Sequence, residues 1–257
     1  MLSLTSNISP NELVTKIPAD KFWLMLDYDG TLVPIADTPW KAIPDQTLRD
    51  LLTALAHRPG IKIAIISGRP LADLADLLPS NPIYLVASHG LTIRYPDGSV
   101  EHTIDYSSLK PVIDEIAREA RLLCSRHSGL LIEHKEAGLA LHYRLAEPTL
   151  VPAVVTAFRD MARPYLESYS LELLPGKKVL ELRPRGVNKG SAVIRLLDLH
   201  NWFPVYIGDD FTDEEVFRHL KGWGCTVLVS RESRTTAARF RLRHPGDVRE
   251  FLALLTG

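Results

Sequence analysis

The chain has 257 residues, of which 46% are apolar and 24% are charged, and its formal net charge is −1. This balance is typical of a soluble enzyme, and with no long basic run it excludes a nucleic-acid polyanion as the expected partner. No apolar stretch is long enough to span a bilayer, and residues 1–17 lack the layout of a signal peptide. The two isolated cysteines, Cys124 and Cys225, indicate reduced, buried thiols, so we expect a cytoplasmic protein.

The first third of the chain predicts alternating strands and helices. In chain order, the predicted elements are a strand at 22–26, a helix capped by Asp45, a strand at 61–66, a helix with Pro70 in its first turn and a strand at 83–87. This order implies parallel strand pairing with right-handed crossovers. We therefore predict an α/β fold around an open parallel sheet.

The middle of the chain predicts a different, α+β arrangement. The order there is helix, hairpin, helix, hairpin, which is typical of an inserted unit. The parallel pattern then returns with a helix from Lys189, a strand at 204–207, a helix after a Thr212/Glu215 capping box with Asp213 in its first turn, a strand at 225–229 and a final helix capped by Asp247. We predict a core at 1–105 and 185–257 that is interrupted by an inserted α+β cap at 106–184.

Acidic and hydroxyl side chains follow the core strands where these strands end. Asp27 and Asp29 follow the first strand, Ser67 follows the second, and Asp209 follows a later one. In an open parallel sheet, ligands bind at the carboxyl ends of the strands. Because neighbouring carboxylates repel each other, Asp27 and Asp29 indicate a bound divalent cation with oxygen ligands. A solvated Asp-x-Asp-Gly turn is the alternative for this motif alone.

These residue types fit phosphoryl transfer. A carboxylate can attack phosphorus, and the charge on the phosphoryl oxygens then requires a metal, a lysine and hydrogen-bond donors. Lys189 supplies a lysine in the helix after the insertion. Taken alone, Lys189 fits a surface position better, and Ser67-Gly68 fits an ordinary turn equally well. Their joint occurrence at strand ends favours a catalytic site.

The motifs resemble those of the haloacid-dehalogenase superfamily of phosphatases, and more narrowly those of trehalose-6-phosphate phosphatases. The superfamily motifs are Asp-Tyr-Asp-Gly-Thr at 27–31, Ile-Ser-Gly-Arg at 66–69, Lys189 and Gly-Asp-Asp-Phe-Thr-Asp-Glu at 208–214. The narrower motifs are Leu-Val-Pro-Ile at 32–35, Ser-His-Gly at 88–90, Glu-His-Lys at 133–135, Ala-Leu-His-Tyr-Arg at 140–144 and Gly-Lys-Lys-Val-Leu-Glu-Leu-Arg-Pro-Arg-Gly at 176–186. The resemblance implies a Rossmann-like hydrolase core at 1–105 and 185–257, with an inserted α+β cap at 106–184 that determines substrate specificity.

The resemblance also implies a role for each motif residue. Asp27 would be the nucleophile, and Asp29 the general acid and then the general base. Ser67 and Lys189 would hold the phosphoryl oxygens. The implied Mg²⁺ site consists of Asp27, the backbone carbonyl of Asp29, Asp209 and Asp213, with Asp213 supporting the site more than binding the ion. The further implied substrate-binding residues of the core are Gly68, Arg69 and His89.

The first cap hairpin predicts one apolar and one polar face. In an ordinary register, Ile132, Leu139, Leu141 and Tyr143 alternate to one side, and Glu133, Lys135, His142 and Arg144 to the other. Carboxylates with basic partners can orient sugar hydroxyls, whereas the alternative is a solvated face with cross-strand ion pairs. The resemblance favours sugar binding by Glu133, Lys135, Arg144 and Glu181, with His142 and Lys177 as weaker candidates.

Together these inferences predict a Mg²⁺-dependent phosphatase that converts trehalose 6-phosphate to trehalose and phosphate through an aspartyl-phosphate. One alternative is a phosphatase of sucrose phosphate or a glycosyl phosphoglycerate. The other is a catalytically silent subunit that binds sugar phosphate and regulates a synthase, which the intact set of catalytic residues argues against. The expected partner is a small sugar phosphate, with no nucleic acid and no membrane, and the expected state is a monomer.

Overall fold

The structure, a computed structural model, describes residues 3–36, 38–78, 82–176, 178–198 and 202–257. The chain forms two compact units, Met1–Thr103 with Asn188–Gly257, and Ile104–Val187. We call the first unit the core and the second the cap. The boundaries expected from the sequence, at 106 and 184, lie just inside the limits of the cap.

Strands and helices alternate along most of the chain. The strands are β1 (Ser3–Leu4), β2 (Ser6–Asn7), β3 (Phe22–Asp27), β4 (Ile61–Ile66), β5 (Ile83–Ala87), β6 (Thr92–Arg94), β7 (Val100–His102), β8 (Leu131–Lys135), β9 (Gly138–His142), β10 (Leu171–Gly176), β11 (Val179–Pro184), β12 (Phe203–Gly208), β13 (Cys225–Val229), β14 (Thr235–Thr236) and β15 (Phe240–Leu242). The helices are α1 (Pro10–Val14), α2 (Gln46–Ala56), α3 (Leu71–Leu77), α4 (Lys110–Cys124), α5 (Val151–Leu166), α6 (Lys189–Asp198), α7 (Glu214–His219) and α8 (Pro245–Leu254).

The core is built on one large sheet with the strand order β2-β15-β13-β12-β3-β4-β5-β6-β7. Pairing is parallel from β2 to β5 and antiparallel for β6 and β7 at one edge. Every residue of β3 is buried, as expected for a parallel strand that is covered on both faces. The predicted α/β fold is confirmed, with an antiparallel edge that the sequence pattern did not indicate.

Successive side chains of β3 pack into two apolar clusters on opposite faces of the sheet. Leu24 and Leu26 contribute to the cluster that includes α2 and α8. Trp23 and Met25 contribute to the cluster that includes α6 and α7. This alternation follows from the strand period of two, and burial on both sides fixes the strand that ends in Asp27.

One predicted helix cap of the core is confirmed and another is wrong. The side chain of Asp45 accepts a hydrogen bond from the backbone N–H of Leu48 at 2.9 Å, as a cap of α2 should. The final helix is not capped by Asp247, because α8 begins at Pro245 and His244 occupies the N-cap position. A proline is pre-organised for the first helical position, so the helix starts there and Asp247 falls in its first turn.

The cap contains an antiparallel sheet with the strand order β10-β11-β9-β8. Its apolar side chains, such as Leu139 and Leu141, pack with α4 and α5 in a separate hydrophobic cluster. The order of helices and hairpins is as predicted. However, β9 ends at His142, so Arg144 lies in a turn beyond the strand, and its predicted place on the polar strand face is wrong.

The N-terminal segment, for which the residue pattern offered no expectation, adds strands to the core. Strand β1 pairs antiparallel with β14, and β2 pairs in parallel with β15 at the edge of the large sheet. Ser9 and Glu12 form a capping box at the start of α1. The segment is thus part of the folded core.

Two expectations from composition concern the membrane and the cysteines. Within the described ranges, no helix combines the length and the apolar character needed to cross a bilayer. Cys124 and Cys225 are both free thiols, as expected, although only Cys225 is fully buried. Burial raises the pKa of the Cys225 thiol to about 12, so this group is an inert part of the core.

Candidate active site

Two neighbouring parallel strands bring the acidic motifs to one edge of the core sheet. Leu26 of β3 pairs with Ile207 of β12, and the next residues along these strands are Asp27 and Gly208, which precedes Asp209. Helix α6 begins with Lys189, whose side chain reaches the same edge. The local sequence therefore places the predicted nucleophile, metal ligand and lysine together.

Lys189 links two buried carboxylates. Its Nζ lies 2.7 Å from Asp27 Oδ1 and 2.8 Å from Asp213 Oδ1. All three residues are almost inaccessible, with 3% of Lys189, 4% of Asp27 and none of Asp213 exposed. Burial lowers the pKa of Lys189, but the neighbouring Asp213 and Asp27 outweigh burial and hold that pKa well above its ordinary value. Lys189 is therefore an ammonium cation within the site and not a surface lysine.

Asp213 accepts three hydrogen bonds. Besides Lys189, Oδ1 accepts from the hydroxyl of Tyr206 at 2.6 Å, and Oδ2 accepts from the backbone N–H of Asp210 at 2.9 Å. A Cβ at Gly208 would lie 2.3 Å from Asp213 Cγ, so only glycine leaves room for this carboxylate. Tyr206 was not found from the sequence, where it reads as one more apolar residue of a buried strand.

The predicted capping box at the start of α7 is wrong. The helix begins at Glu214 with Asp213 at the N-cap position, and no side chain caps it. Thr212 instead donates from its N–H and its hydroxyl to Asp210 Oδ1, at 2.6 and 2.7 Å. Asp213 occupies the N-cap position, but Lys189 and Tyr206 engage its carboxylate, so this carboxylate does not cap the helix. The carboxylate of Asp210 orders the turn before the helix instead.

The acidic cluster fits a divalent cation. Carboxylate oxygens of Asp27, Asp209 and Asp213 all lie within 4.8 Å of one another. Burial, followed by repulsion from the neighbouring carboxylates, raises the pKa of Asp27 well above its ordinary value and that of Asp209 to about 7. Lys189 alone therefore does not offset the negative charge, whereas a hard cation with oxygen ligands would.

The backbone of Gly30 forms one wall of this cluster. Gly30 has a positive φ of 84°, and a Cβ there would lie 2.2 Å from Asp209 Oδ2. The glycine of the Asp-x-Asp-Gly motif therefore allows both the turn and the close approach of Asp209. This contact explains why the turn belongs to the site and is not merely solvated.

Asp29 lies outside the acidic cluster and pairs with an arginine. Arg69 donates from Nε to Asp29 Oδ2 at 2.7 Å and from Nη2 to Oδ1 at 2.6 Å. The guanidinium of Arg69, 5.0 Å from the ring centroid of Tyr28, is largely buried, while the Asp29 side chain is 39% exposed. The sequence predicted that Arg69 binds substrate, and it did not predict this bidentate ion pair with Asp29.

Ser67 and Gly68, which follow β4, pack against His89, which follows β5. Ser67 follows β4, is 2% exposed, and its hydroxyl oxygen accepts from the backbone N–H of Arg69 at 3.2 Å. His89 has a positive φ of 57° and donates its backbone N–H to the carbonyl of Ser67 at 2.9 Å. A Cβ at Gly68 would lie 2.3 Å from His89 Nε2, so glycine is required there for the imidazole to fit.

Three of the predicted sugar-binding residues of the cap, Glu133, Lys135 and Glu181, share one face of its sheet. Glu133 and Glu181 both pair with Ala140, on either side of β9, and therefore point to the same face. Glu133 accepts from His142 at 2.8 Å and pairs with Lys135 at 2.9 Å. The weaker candidate Lys177 lies outside the described residues.

Glu181 differs from Glu133 in its contacts with the described residues. Burial raises the pKa of the Glu181 carboxyl, while the positive charges of Lys135 and Arg183 lower it. Over the part of the chain that the structure describes, no hydrogen bond to this carboxylate is recorded. Glu181 is half-buried, so its carboxylate can still accept hydrogen bonds from a ligand at this face of the cap sheet.

Comparison with known proteins gives one consistent result. The sequence model of the Trehalose-phosphatase family matches residues 25–245. A bifunctional trehalose-6-phosphate synthase/phosphatase of Thermoproteus tenax is 38% identical over 237 residues, which are 90% of this chain and 31% of that protein. A trehalose 6-phosphate phosphatase of Zea mays is 34% identical over 253 residues, which are 90% of this chain and 69% of that protein. The solved structure of an Aspergillus fumigatus trehalose-6-phosphate phosphatase is 32% identical, with a TM-score of 0.75 and 98% of both chains covered. This chain spans less than a third of the Thermoproteus protein.

Proposed function

The chain belongs to the trehalose-phosphatase family, and we propose that it hydrolyses trehalose 6-phosphate to trehalose and phosphate, the last step of trehalose biosynthesis. We expect a monomeric, cytoplasmic enzyme that requires Mg²⁺. The observation that carries the proposal is the buried carboxylate of Asp27. It accepts a hydrogen bond from Lys189 and forms one cluster with the carboxylates of Asp209 and Asp213.

The first chemical step assigned to these residues is attack on phosphorus by Asp27. A carboxylate oxygen of Asp27 forms an aspartyl-phosphate while the bond from phosphorus to the sugar oxygen breaks. Lys189, which already contacts Asp27, would stabilise the negative charge on the phosphoryl oxygens. Ser67, at the end of the neighbouring strand β4, would donate its hydroxyl to the same oxygens.

The leaving sugar oxygen needs a proton, and we assign its delivery to Asp29. In the second step, the same side chain accepts a proton from the water that hydrolyses the aspartyl-phosphate. Both carboxylate oxygens of Asp29 accept hydrogen bonds from Arg69. Arg69 therefore fixes the orientation of the Asp29 side chain, and each oxygen keeps a second lone pair for a reacting group.

Mg²⁺ would be held by Asp27, Asp209 and the backbone carbonyl of Asp29. Asp213 already accepts three hydrogen bonds, so it would support the site by fixing Lys189 and would not bind the ion directly. When bound, the cation would offset the combined negative charge of the carboxylates and of the substrate phosphate.

The cap is proposed to recognise the sugar. The carboxylate of Glu181 is the main support, because it is half-buried, accepts no hydrogen bond from the described residues and could accept from sugar hydroxyls. Glu133 and Lys135 would contribute from the same sheet face, and Arg144 from the turn after β9. The proposed contacts with the phosphate end of the substrate are Gly68 and His89.

A phosphate-release assay over a panel of sugar phosphates tests the proposal. The purified protein should show its highest kcat/KM for trehalose 6-phosphate, ahead of sucrose 6-phosphate, glucosyl phosphoglycerate and glucose 6-phosphate. A chelator should stop turnover, and added Mg²⁺ should restore it. Preference for another sugar phosphate would refute trehalose 6-phosphate as the preferred substrate, but it would leave the proposed hydrolysis reaction in place. No phosphate release from any compound would instead support a silent regulatory subunit.

A further inference from the structure

Arg234 contacts the backbone of the loop that carries the acidic residues. It lies between β13 and β14, and its Nη2 donates to the carbonyl oxygens of Asp209 at 2.9 Å and of Asp210 at 3.1 Å. These two residues follow the end of β12 and precede α7, where neither sheet nor helix hydrogen bonds hold their carbonyls. Arg234 thus supplies the donor that regular structure lacks at this point.

The segment that carries Arg234 is itself fixed to the core. Glu214 Oε2 accepts from the backbone N–H of Ala237 at 2.9 Å, and Glu214 Oε1 lies 3.9 Å from the Arg234 guanidinium. Glu214 is largely buried, so this attachment is shielded from solvent. The adjoining strand β14 pairs with β1 on its other side. The segment that carries Arg234 is therefore held in place by the rest of the core.

The peptide group between Asp209 and Asp210 is held at both of its polar atoms. Its N–H, which belongs to Asp210, donates to Asp213, and the Asp210 carboxylate accepts from Thr212. For the carbonyl of Asp209, Arg234 is the donor that the structure records within its described residues. A shift of that backbone would move the carboxylate of Asp209 out of the cluster with Asp27 and Asp213.

We propose that Arg234 is a positioning residue for the metal site, which holds the backbone of Asp209 so that its carboxylate stays within reach of the cation. This inference rests on the proposed function, because it requires that the acidic cluster binds a metal. It extends that function to a residue some 25 positions away in the chain that contacts neither substrate nor reacting atoms.

The test is a comparison of Arg234→Gln with Arg239→Gln in the full chain. Arg239 is a matched control, since it lies between β14 and β15, with its guanidinium 4.9 Å from the Phe240 ring and its backbone N–H bonded to Thr226. Isothermal titration of the substrate-free proteins with Mg²⁺, and with Mn²⁺ as a second probe, measures affinity directly. Loss of a hydrogen bond from a charged group should weaken binding about tenfold in Arg234→Gln. Arg239→Gln should bind like the wild type.

A purely structural role would change stability and not metal affinity, so unfolding temperatures are measured without metal. We expect that Arg234→Gln loses activity at low Mg²⁺ and regains most of it in excess Mg²⁺, at an unfolding temperature close to that of Arg239→Gln. If Arg234→Gln does not fold, Arg234→Met, which keeps the apolar stem, serves for the same comparison. Wild-type metal affinity in the Arg234 variant would overturn the inference. A wild-type protein that binds neither ion would overturn the proposed function together with it.

Discussion

Lys189 Nζ lies 2.7 Å from Asp27 Oδ1, and both side chains are buried. The same ammonium also serves Asp213, and Asp209 completes the acidic cluster. Carboxylates therefore outnumber cations in a site that is shielded from water. As a consequence, removal of an acid and removal of the lysine should change the stability of the metal-free protein in opposite directions.

Asp27→Asn should abolish turnover without loss of the fold. The amide cannot attack phosphorus, and Lys189 keeps its contact with Asp213. Because burial and carboxylate repulsion raise the pKa of Asp27, the loss of its charge relieves repulsion. The unfolding temperature of the metal-free variant should equal or exceed that of the wild type. Phosphate release within tenfold of wild type would refute the assignment of Asp27 as nucleophile.

Lys189→Met should instead destabilise the core. It leaves Asp27 and Asp213 buried without their counter-charge, and breaking a buried ion pair in this way costs about 3–5 kcal/mol. Denaturant unfolding without metal measures the change. The control is Lys110→Met, because Lys110 forms an exposed ion pair with Asp114 and should change little. Equal effects of the two substitutions would contradict the description of Lys189 as the buried cation of the site.

The fold and the motif residues could be predicted because strand ends and motif order are local signals. Asp27 ends a fully apolar run, and that run alone places it at the sheet edge. The pattern could not show that Asp213 is held by Tyr206, or that Asp29 is held by Arg69, because side-chain partners depend on contacts between distant segments. For the same reason, the sequence placed Asp213 inside the first turn of α7, whereas it occupies the N-cap position before Glu214. Arg234 gave no signal at all, since an arginine in a polar loop fits a solvated position equally well.

Gly30→Ala should disrupt the acidic cluster, and Gly98→Ala provides a matched control. Both glycines have a positive φ, 84° and 86°, but a Cβ at Gly30 would lie 2.2 Å from Asp209 Oδ2, whereas none of the described atoms lies within 4 Å at Gly98. Each substitution should cost about 1–2 kcal/mol from backbone strain. Only Gly30→Ala should also displace Asp209, with loss of metal binding and turnover. Retained metal binding in Gly30→Ala would refute the close packing of Gly30 against the Asp209 carboxylate.

The ion pairs of Glu133 should stabilise the cap in a pH-dependent manner. The hydrogen bond from His142, together with that from Lys135, lowers the pKa of Glu133 from 4.5 to about 2. A lowered carboxyl pKa stabilises the folded state above the unfolded-state pKa, and this stabilisation is lost as the pH falls towards 2. Because Glu133 is 42% exposed, solvent screening limits the effect near neutral pH to about 0.5–1 kcal/mol.

Thermal unfolding of Glu133→Gln and of the wild type measures this effect. The difference in unfolding temperature should be constant at neutral pH and should shrink between about pH 4.5 and 2. Glu147→Gln, in an exposed turn of the cap, is the control and should show no such trend. A difference that persists unchanged to the lowest pH would mean that packing, and not charge, is responsible.

Glu181→Ala should separate recognition of the sugar from the chemistry at phosphorus. If the carboxylate of Glu181 binds sugar hydroxyls, its binding energy positions the phosphate for attack by Asp27. Loss of a hydrogen bond to a charged group is worth roughly 1.5–3 kcal/mol, so kcat/KM for trehalose 6-phosphate should fall about tenfold or more. A small aryl phosphate has no disaccharide to hold, so its hydrolysis should barely change. The two kcat/KM values are measured side by side, with the unfolding temperature and Glu147→Ala as controls. Equal losses on both substrates would assign Glu181 a structural role, and no loss on either would leave the cap without a part in sugar recognition.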